Sequence, residues 1–170
     1  MSIKAMNVRK KMLGGEHEDT LNSIAMVGLV YKLRGRWGIA EELEVEVIET
    51  SKKKLGADHP DTLTSTANLA STYRDQGRWE AAEALEVEVM ETRKQKLGAD
   101  HSDTLTSMNN LAFTWKRQGR DAEAIKLMSV CVQLSSPVLD ANHPHYISFL
   151  KTLARWGAEQ VDVGSLSLDG

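Results

Sequence analysis

Leu55-Gly-Ala-Asp-His-Pro-Asp-Thr-Leu-Thr-Ser65 returns as Leu97-Gly-Ala-Asp-His-Ser-Asp-Thr-Leu-Thr-Ser107, forty-two residues later. Of the twenty-four positions from Leu55 to Arg78, seventeen are identical at that offset. The same wording stands one period earlier at Leu13-Gly14, His17, Asp19, Thr20 and Leu21. A degraded copy begins near Leu139, with His143, Pro144, Ile147, Leu153 and Ala154 in phase. A fixed period of this length marks a repeat architecture, in which each unit buries its apolar face by stacking on its neighbours. The units so read are 13–54, 55–96 and 97–138, with a partial unit over 139–156, a partial helix before 13 and a flexible tail over 157–170.

Each unit reads as two helices. The first starts at Asp-His-Pro-Asp, where Asp58 and Asp61 suit a positive helix end and Pro60 suits a first turn that needs no donor. Leu63, Thr66, Leu69, Ala70 and Tyr73 then fall on one helical face. Gly77 in Gln76-Gly77-Arg78 ends the helix by taking a left-handed conformation, as Gly35 and Gly119 do in their units. The second helix runs from about Trp79 to Lys96, with Ala82, Leu85, Val89 and Thr92 inward. Its Glu-Val-Glu-Val stretch alternates like a strand, but eighteen residues without a breaker, rich in Ala, Glu, Lys and Leu, make a helix. The predicted fold is therefore all-α: a right-handed superhelix of stacked antiparallel hairpins whose first helices line a concave face. Met6 to Leu13 aligns with Met90 to Leu97, so the chain starts inside a second helix and reads as a piece of a longer array. Unpaired helix faces at the two ends predict self-association into a homo-oligomer.

The 170 residues are 41% hydrophobic and 26% charged with a net charge of −3, a globular composition. No basic block is strong enough for nucleic acid. No eighteen-residue apolar run predicts a membrane span, and the basic, core-less start is not a secretory signal. A lone cysteine, Cys131, fits a reducing, cytoplasmic setting. It falls at the position of Val89 and reads as a buried small hydrophobe.

Several features invite chemistry and are better explained by structure. One histidine per unit (His17, His59, His101, His143) would place neighbours about 10 Å apart, the spacing of packed helices. A zinc ion needs its ligands about 2 Å away. These histidines are assigned to helix starts, and no metal or cofactor is expected. Glu41-Glu42 reads as a solvated helix face rather than a catalytic dyad, the Leu-Gly pairs lack the lysine of a phosphate loop, and Trp37 and Trp79 are read as packing residues. No enzymatic site is assembled.

The functional expectation lies on the inner face of the first helices. Counting from the core leucine and tyrosine, the outward inner positions include Lys32 in the first unit. Asn68, Ser71 and Arg74 follow in the second, and Asn109, Asn110, Phe113, Lys116 and Arg117 in the third. Asparagine amides can both donate to and accept from an extended backbone, and the cations can pair with carboxylates. A protein or peptide segment with acidic and apolar residues is the expected partner. Glu159, Asp162 and Asp169 could fold back on this face from the tail.

Leu69, Ala70, Tyr73 and Ala82 match the large-small-x-x-Tyr…Ala pattern of the tetratricopeptide repeat. Val27, Gly28, Tyr31 and Ala40 match it in the first unit, and Trp115 replaces the tyrosine in the third. The period, the Leu-Gly-x-Asp-His-Pro-Asp-Thr start and the Asn-Leu-Ala core resemble the kinesin light chain-like subclass. Thr-Leu-Thr-Ser-x-x-Asn-Leu-Ala-x-Thr, Gln-Gly-Arg-Trp and Glu-Val-x-Val-Met-Glu-Thr-Arg-Lys resemble more closely the C-terminal repeats of fungal NOD-like receptors. That resemblance implies a non-catalytic sensor or scaffold array behind an NTPase domain. The kinesin light chain-like resemblance implies a cargo adaptor, and that Asn68 and Asn110 hold a ligand backbone. The chain departs from the general pattern at Glu44, Glu86 and Met128, where an aromatic residue is usual.

Overall fold

The computed structural model describes residues 3–140 and 142–166, with side chains described as far as Glu159. Among the described residues there are eight helices and no strand. They are α1 (Ile3–Leu13), α2 (Glu18–Leu33), α3 (Trp37–Leu55), α4 (Pro60–Asp75), α5 (Trp79–Leu97), α6 (Ser102–Arg117), α7 (Asp121–Ser135) and α8 (Pro144–Leu166). The chain forms two compact units, Met1–Val89 and Met90–Gly170. In the first, α1 packs on α2, α2 on α3 and α3 on α4; in the second, α6 packs on α7 and α7 on α8.

The first helices start on their histidines. The Nδ1 atoms of His17, His59 and His101 accept the backbone N–H of Asp19, Asp61 and Asp103, each at 3.2 Å, and His143 accepts that of His145 at 3.2 Å. A side-chain acceptor at this position satisfies a donor the helix leaves unpaired. One helix-start histidine per repeat is thus a capping device, and in the first three units the acidic residue two places on adds a favourable charge near the positive end.

The first helices also stop alike. Gly77, at φ 76°, donates to Arg74 O, and Arg78 N–H reaches back to Tyr73 O at 2.9 Å. Arg36 to Tyr31 and Arg120 to Trp115 repeat that bond at 2.9 Å. These are the paired bonds of a glycine-terminated helix, whose left-handed residue a side chain would strain. In each case the arginine guanidinium also lies over the aromatic ring, at 5.3 Å for Arg36 on Tyr31, 4.1 Å for Arg78 on Tyr73 and 4.8 Å for Arg120 on Trp115. The Gly-Arg pair and the aromatic five residues before the arginine therefore act together to fix the turn into the second helix.

The predicted faces are buried where the period puts them. Leu63, Thr66, Leu69 and Ala70 are buried in α4, and Ala40, Ala82 and Ala124 are fully buried in their second helices. Cys131 is also buried, and burial alone pushes its thiol up to about 12. Arg9 donates to Ser23 Oγ at 2.6 Å and Arg93 to Ser107 Oγ at 2.9 Å, two equivalent contacts eighty-four residues apart. α1 thus contacts α2 as the end of α5 contacts α6, which is the register expected of a second helix.

Gly28 stands where α4 and α6 have Ala70 and Ala112. A Cβ there would meet Leu43 Cβ at 3.6 Å and Glu44 Cγ at 3.7 Å, ordinary contacts. Gly28→Ala is therefore expected to raise stability by about 0.5–1 kcal/mol, the helix-interior penalty of glycine. A urea titration followed by circular dichroism checks this.

Three expectations change. The last helix does not end near Trp156 with a tail from Gly157: α8 continues to Leu166. Nothing there breaks it, because each of its two glycines, Gly157 and Gly164, costs a helix only about 1 kcal/mol and the segment holds no proline. Trp37 is 39% exposed rather than packed away. Ala154, in phase with the buried Ala70 and Ala112, is exposed, and α8 buries Phe149 and Trp156 instead. Ile3, Val8 and Met12 on α1 and Leu150 on α8 are exposed apolar residues.

Candidate peptide-binding faces

Within the first unit, α2, α3 and α4 surround a cavity of about 150 Å³ lined by Ala25, Met26, Leu29, Glu44, Val47, Ser65 and Asn68. Met26 and Leu29 are nearly half exposed and Asn68 is exposed, so apolar surface and an amide lie side by side. An adjoining cleft of about 670 Å³ runs past Asn22 and Ser51 toward Lys54 and His59.

Not every inner-face residue is disposed for a ligand. Lys32 Nζ donates to Ser71 Oγ at 2.6 Å and lies 3.4 Å from Asp75 Oδ2, so α2 and α4 hold each other through both residues. Arg74 Nε is 3.4 Å from Oε1 of Glu86, which is 4% exposed. These residues point as the helical register says, but their polar groups already neutralise or bridge neighbours.

In the second unit, Phe113, Lys116 and Arg117 of α6 meet Arg155, Trp156 and Glu159 of α8 around a cavity of about 290 Å³. Phe113 packs edge-on against Trp156, with ring centres 5.0 Å apart. Lys116 lies 2.9 Å from both Asp121 Oδ2 and Glu159 Oε2, and the Asp121 carboxylate foremost, with Glu159, holds its ammonium above the usual lysine range. Arg117 and Arg155 are exposed at the cavity. Asn109 and Asn110 are half-buried beside them on α6, Asn110 carrying the carbonyl that accepts from Thr114 Oγ1 at 3.3 Å. The acidic fold-back thus takes a different form from the one expected: Glu159 reaches Lys116 from within α8. The side chains of Asp162 and Asp169 lie outside the described residues.

Two carboxylates differ from expectation: Glu41 is not on a simply solvated face, and Glu44 is more than a departure from the repeat pattern. Glu41 is part of a cross-helix contact, accepting from Gln76 Nε2 and Arg78 Nη1 at 2.9 Å. Burial opposes its ionisation, but those hydrogen bonds outweigh it and hold the carboxyl below the usual range. Glu44 is 6% exposed, and its Oε2 has no hydrogen-bond partner. Burial pushes its carboxyl above the usual range, against the Thr72 hydrogen bond and the Lys32 charge. The signal for Glu44 was its place in the repeat: Glu44 and Glu86 occupy a position where the pattern usually has a core aromatic residue.

Among the described residues no three histidine, cysteine or carboxylate groups converge, and no helix is long and apolar enough to cross a membrane. The faces offer amides, exposed cations and apolar side chains at the cavities, which suit recognition of a chain segment.

Comparison with known proteins bears on that chemistry. Two solved structures of nearly identical TPR-like repeats, carrying a kinesin light chain assignment from Podosopora anserina, superpose on the chain. One has 26% identity, a TM-score of 0.78 and coverage of 96% of this chain and 79% of that one. The other, a glutamine-to-methionine variant of those repeats, has 27% identity, a TM-score of 0.79 and coverage of 97% and 80%. BtubC from P. vanneervenii shares the fold at 16% identity, with a TM-score of 0.75 over 84% of this chain and 57% of its own. No curated protein matches. The family model for the tetratricopeptide repeat matches residues 20–61, 62–103 and 104–145. These stretches have the period read from the sequence and start seven residues later in phase than Leu13, a choice a periodic chain leaves open. That fold is generally a non-catalytic protein-interaction module. With three consecutive matched repeats spanning well over half of its length, the chain belongs to the tetratricopeptide repeat family.

Proposed function

We propose that the chain is a non-catalytic module that binds a peptide segment of another protein on the exposed faces of its first helices. The observation that carries this reading is that each unit sets exposed polar groups beside apolar side chains at a cavity: Met26 and Leu29 beside Asn68 in a largely apolar one, and Phe113 and Trp156 beside Arg117 and Arg155 in a mostly charged one. The second face suits acidic and apolar residues. Asn68→Ala with Arg117→Ala changes two exposed positions, so stability should stay within about 0.5 kcal/mol of the parent. Peptides selected from a displayed library on the parent chain should bind the double variant about tenfold more weakly, as expected when anchoring contacts are removed. Unchanged affinity would refute the assignment.

The motif wording supports placing the module as the ligand-sensing or scaffold region of a cytoplasmic fungal NOD-like receptor-type protein. The likeness to kinesin light chain repeats favours a second reading, a cargo adaptor. The coding sequence upstream of this segment separates them: an NTPase domain supports the receptor, a heptad coiled coil the adaptor.

A further inference from the structure

The first two second-helices bury a carboxyl at the same repeat position, Glu44 in α3 and Glu86 in α5, forty-two residues apart. For Glu86 a cation is supplied by the first helix, Arg74 Nε at 3.4 Å. The residue forty-two positions before Arg74 is Lys32, so the sequence offers Glu44 the same arrangement. Lys32 makes its direct contacts elsewhere, bonded to Ser71 and paired with Asp75, and reaches Glu44 through its charge alone. Glu44 keeps a hydrogen bond with Thr72, but its Oε2 is buried without a partner. The same residue lines the cavity formed with Met26, Leu29, Ala25 and Val47.

A buried carboxylate oxygen lacking a donor is unfavourable, and an incoming cation that supplies one removes that penalty. A cavity of about 150 Å³ holds a benzene-sized group, which is room for the end of a long side chain. Lysine and arginine carry an apolar stem and a charged head, the two chemistries that Met26 and Leu29 on one side and Glu44 on the other present.

We propose that the cavity between α2, α3 and α4 is a subsite for one basic side chain of a bound peptide, its stem against Met26 and Leu29 and its cationic head on Glu44. The subsite rests on the peptide-binding reading and refines it: the face of the first unit takes a basic residue, where the second suits acidic ones. It is particular to this hairpin, because Glu86 already has Arg74 and the equivalent of Glu44 on α7 is Met128.

Titrating the isotope-labelled chain with n-butylguanidinium tests the subsite without any knowledge of the natural partner. The methyl signals of Met26 and Leu29 should shift and saturate, and Glu44→Gln should weaken binding about tenfold through loss of a charge-assisted hydrogen bond. n-Butanol should produce no saturating shift at the same concentrations. A melting temperature for Glu44→Gln at or above that of the parent shows that its fold is intact. Equal binding of butanol and the cation, or undiminished binding to Glu44→Gln, overturns the proposal. Absence of binding by the cation overturns it as well, while leaving the peptide-binding reading to its own test at Asn68 and Arg117.

Discussion

Replacing Trp156 by alanine is expected to lower the unfolding free energy by about 3–5 kcal/mol, the range for truncating a large aromatic side chain in a packed core. Trp156 is 2% exposed and is the largest fully buried side chain among the described residues. It belongs to one core with Leu111, Met128 and Phe149, and its ring takes the edge of Phe113. Truncation removes those contacts and the anchor of α8 on α7 together, leaving a space the helices can only partly close. Urea unfolding followed by circular dichroism should show a lower midpoint at similar slope. A loss below about 1 kcal/mol, typical of surface substitutions, would mean that α8 is not held as the structure has it.

Glu44→Met should act in the opposite direction. The third hairpin already carries Met128 at this position, fully buried. Removing a buried carboxyl with an unpartnered oxygen is expected to raise stability by about 1–3 kcal/mol at neutral pH. The effect must depend on pH, with a sign that follows from the direction of the shift. Burial raises the Glu44 carboxyl above its ordinary value of 4.5, so the folded state prefers the neutral acid. Well below pH 4.5 both states are protonated and the charge penalty is absent. As pH rises through the elevated folded value, the parent loses stability that the methionine variant keeps. The gap between the two proteins should therefore widen upward from pH 4.5 and level off above the folded value. A gap that narrows over that window would show that Glu44 is stabilised as a carboxylate.

Much of the fold could be read from the repeated stretch because repetition supplies its own controls. Three Gly-Arg turns, each with an aromatic five residues before the arginine, and three histidine starts agree on where every hairpin opens and closes. The buried position of Trp156 was also legible in principle, since it stands one period after Thr114, which is fully buried. It was missed because the helix was expected to end there. The site was less legible, because helical register gives the face of a residue and not the partner its side chain chooses. Lys32 and Arg74 are equivalent by period, yet one bridges to Ser71 and Asp75 while the other neutralises Glu86. Lys116 finds Asp121 where the two earlier units have Trp37 and Trp79, a substitution that signalled a local pairing. Of the residues expected to meet a ligand, Asn68 and Arg117 are exposed at the cavities, whereas Lys32, Arg74 and Lys116 take part in ion pairs within the fold.

The proposed function requires a partner segment to lie on the first-helix faces. Amide shifts of the labelled chain, recorded on adding a peptide selected for binding to it, test this most directly. The largest changes should fall around Met26, Leu29 and Asn68, around Phe113 and Arg117, or on both sets. Changes confined to exposed positions of the second helices, such as Glu42, Glu80 and Lys126, would contradict it.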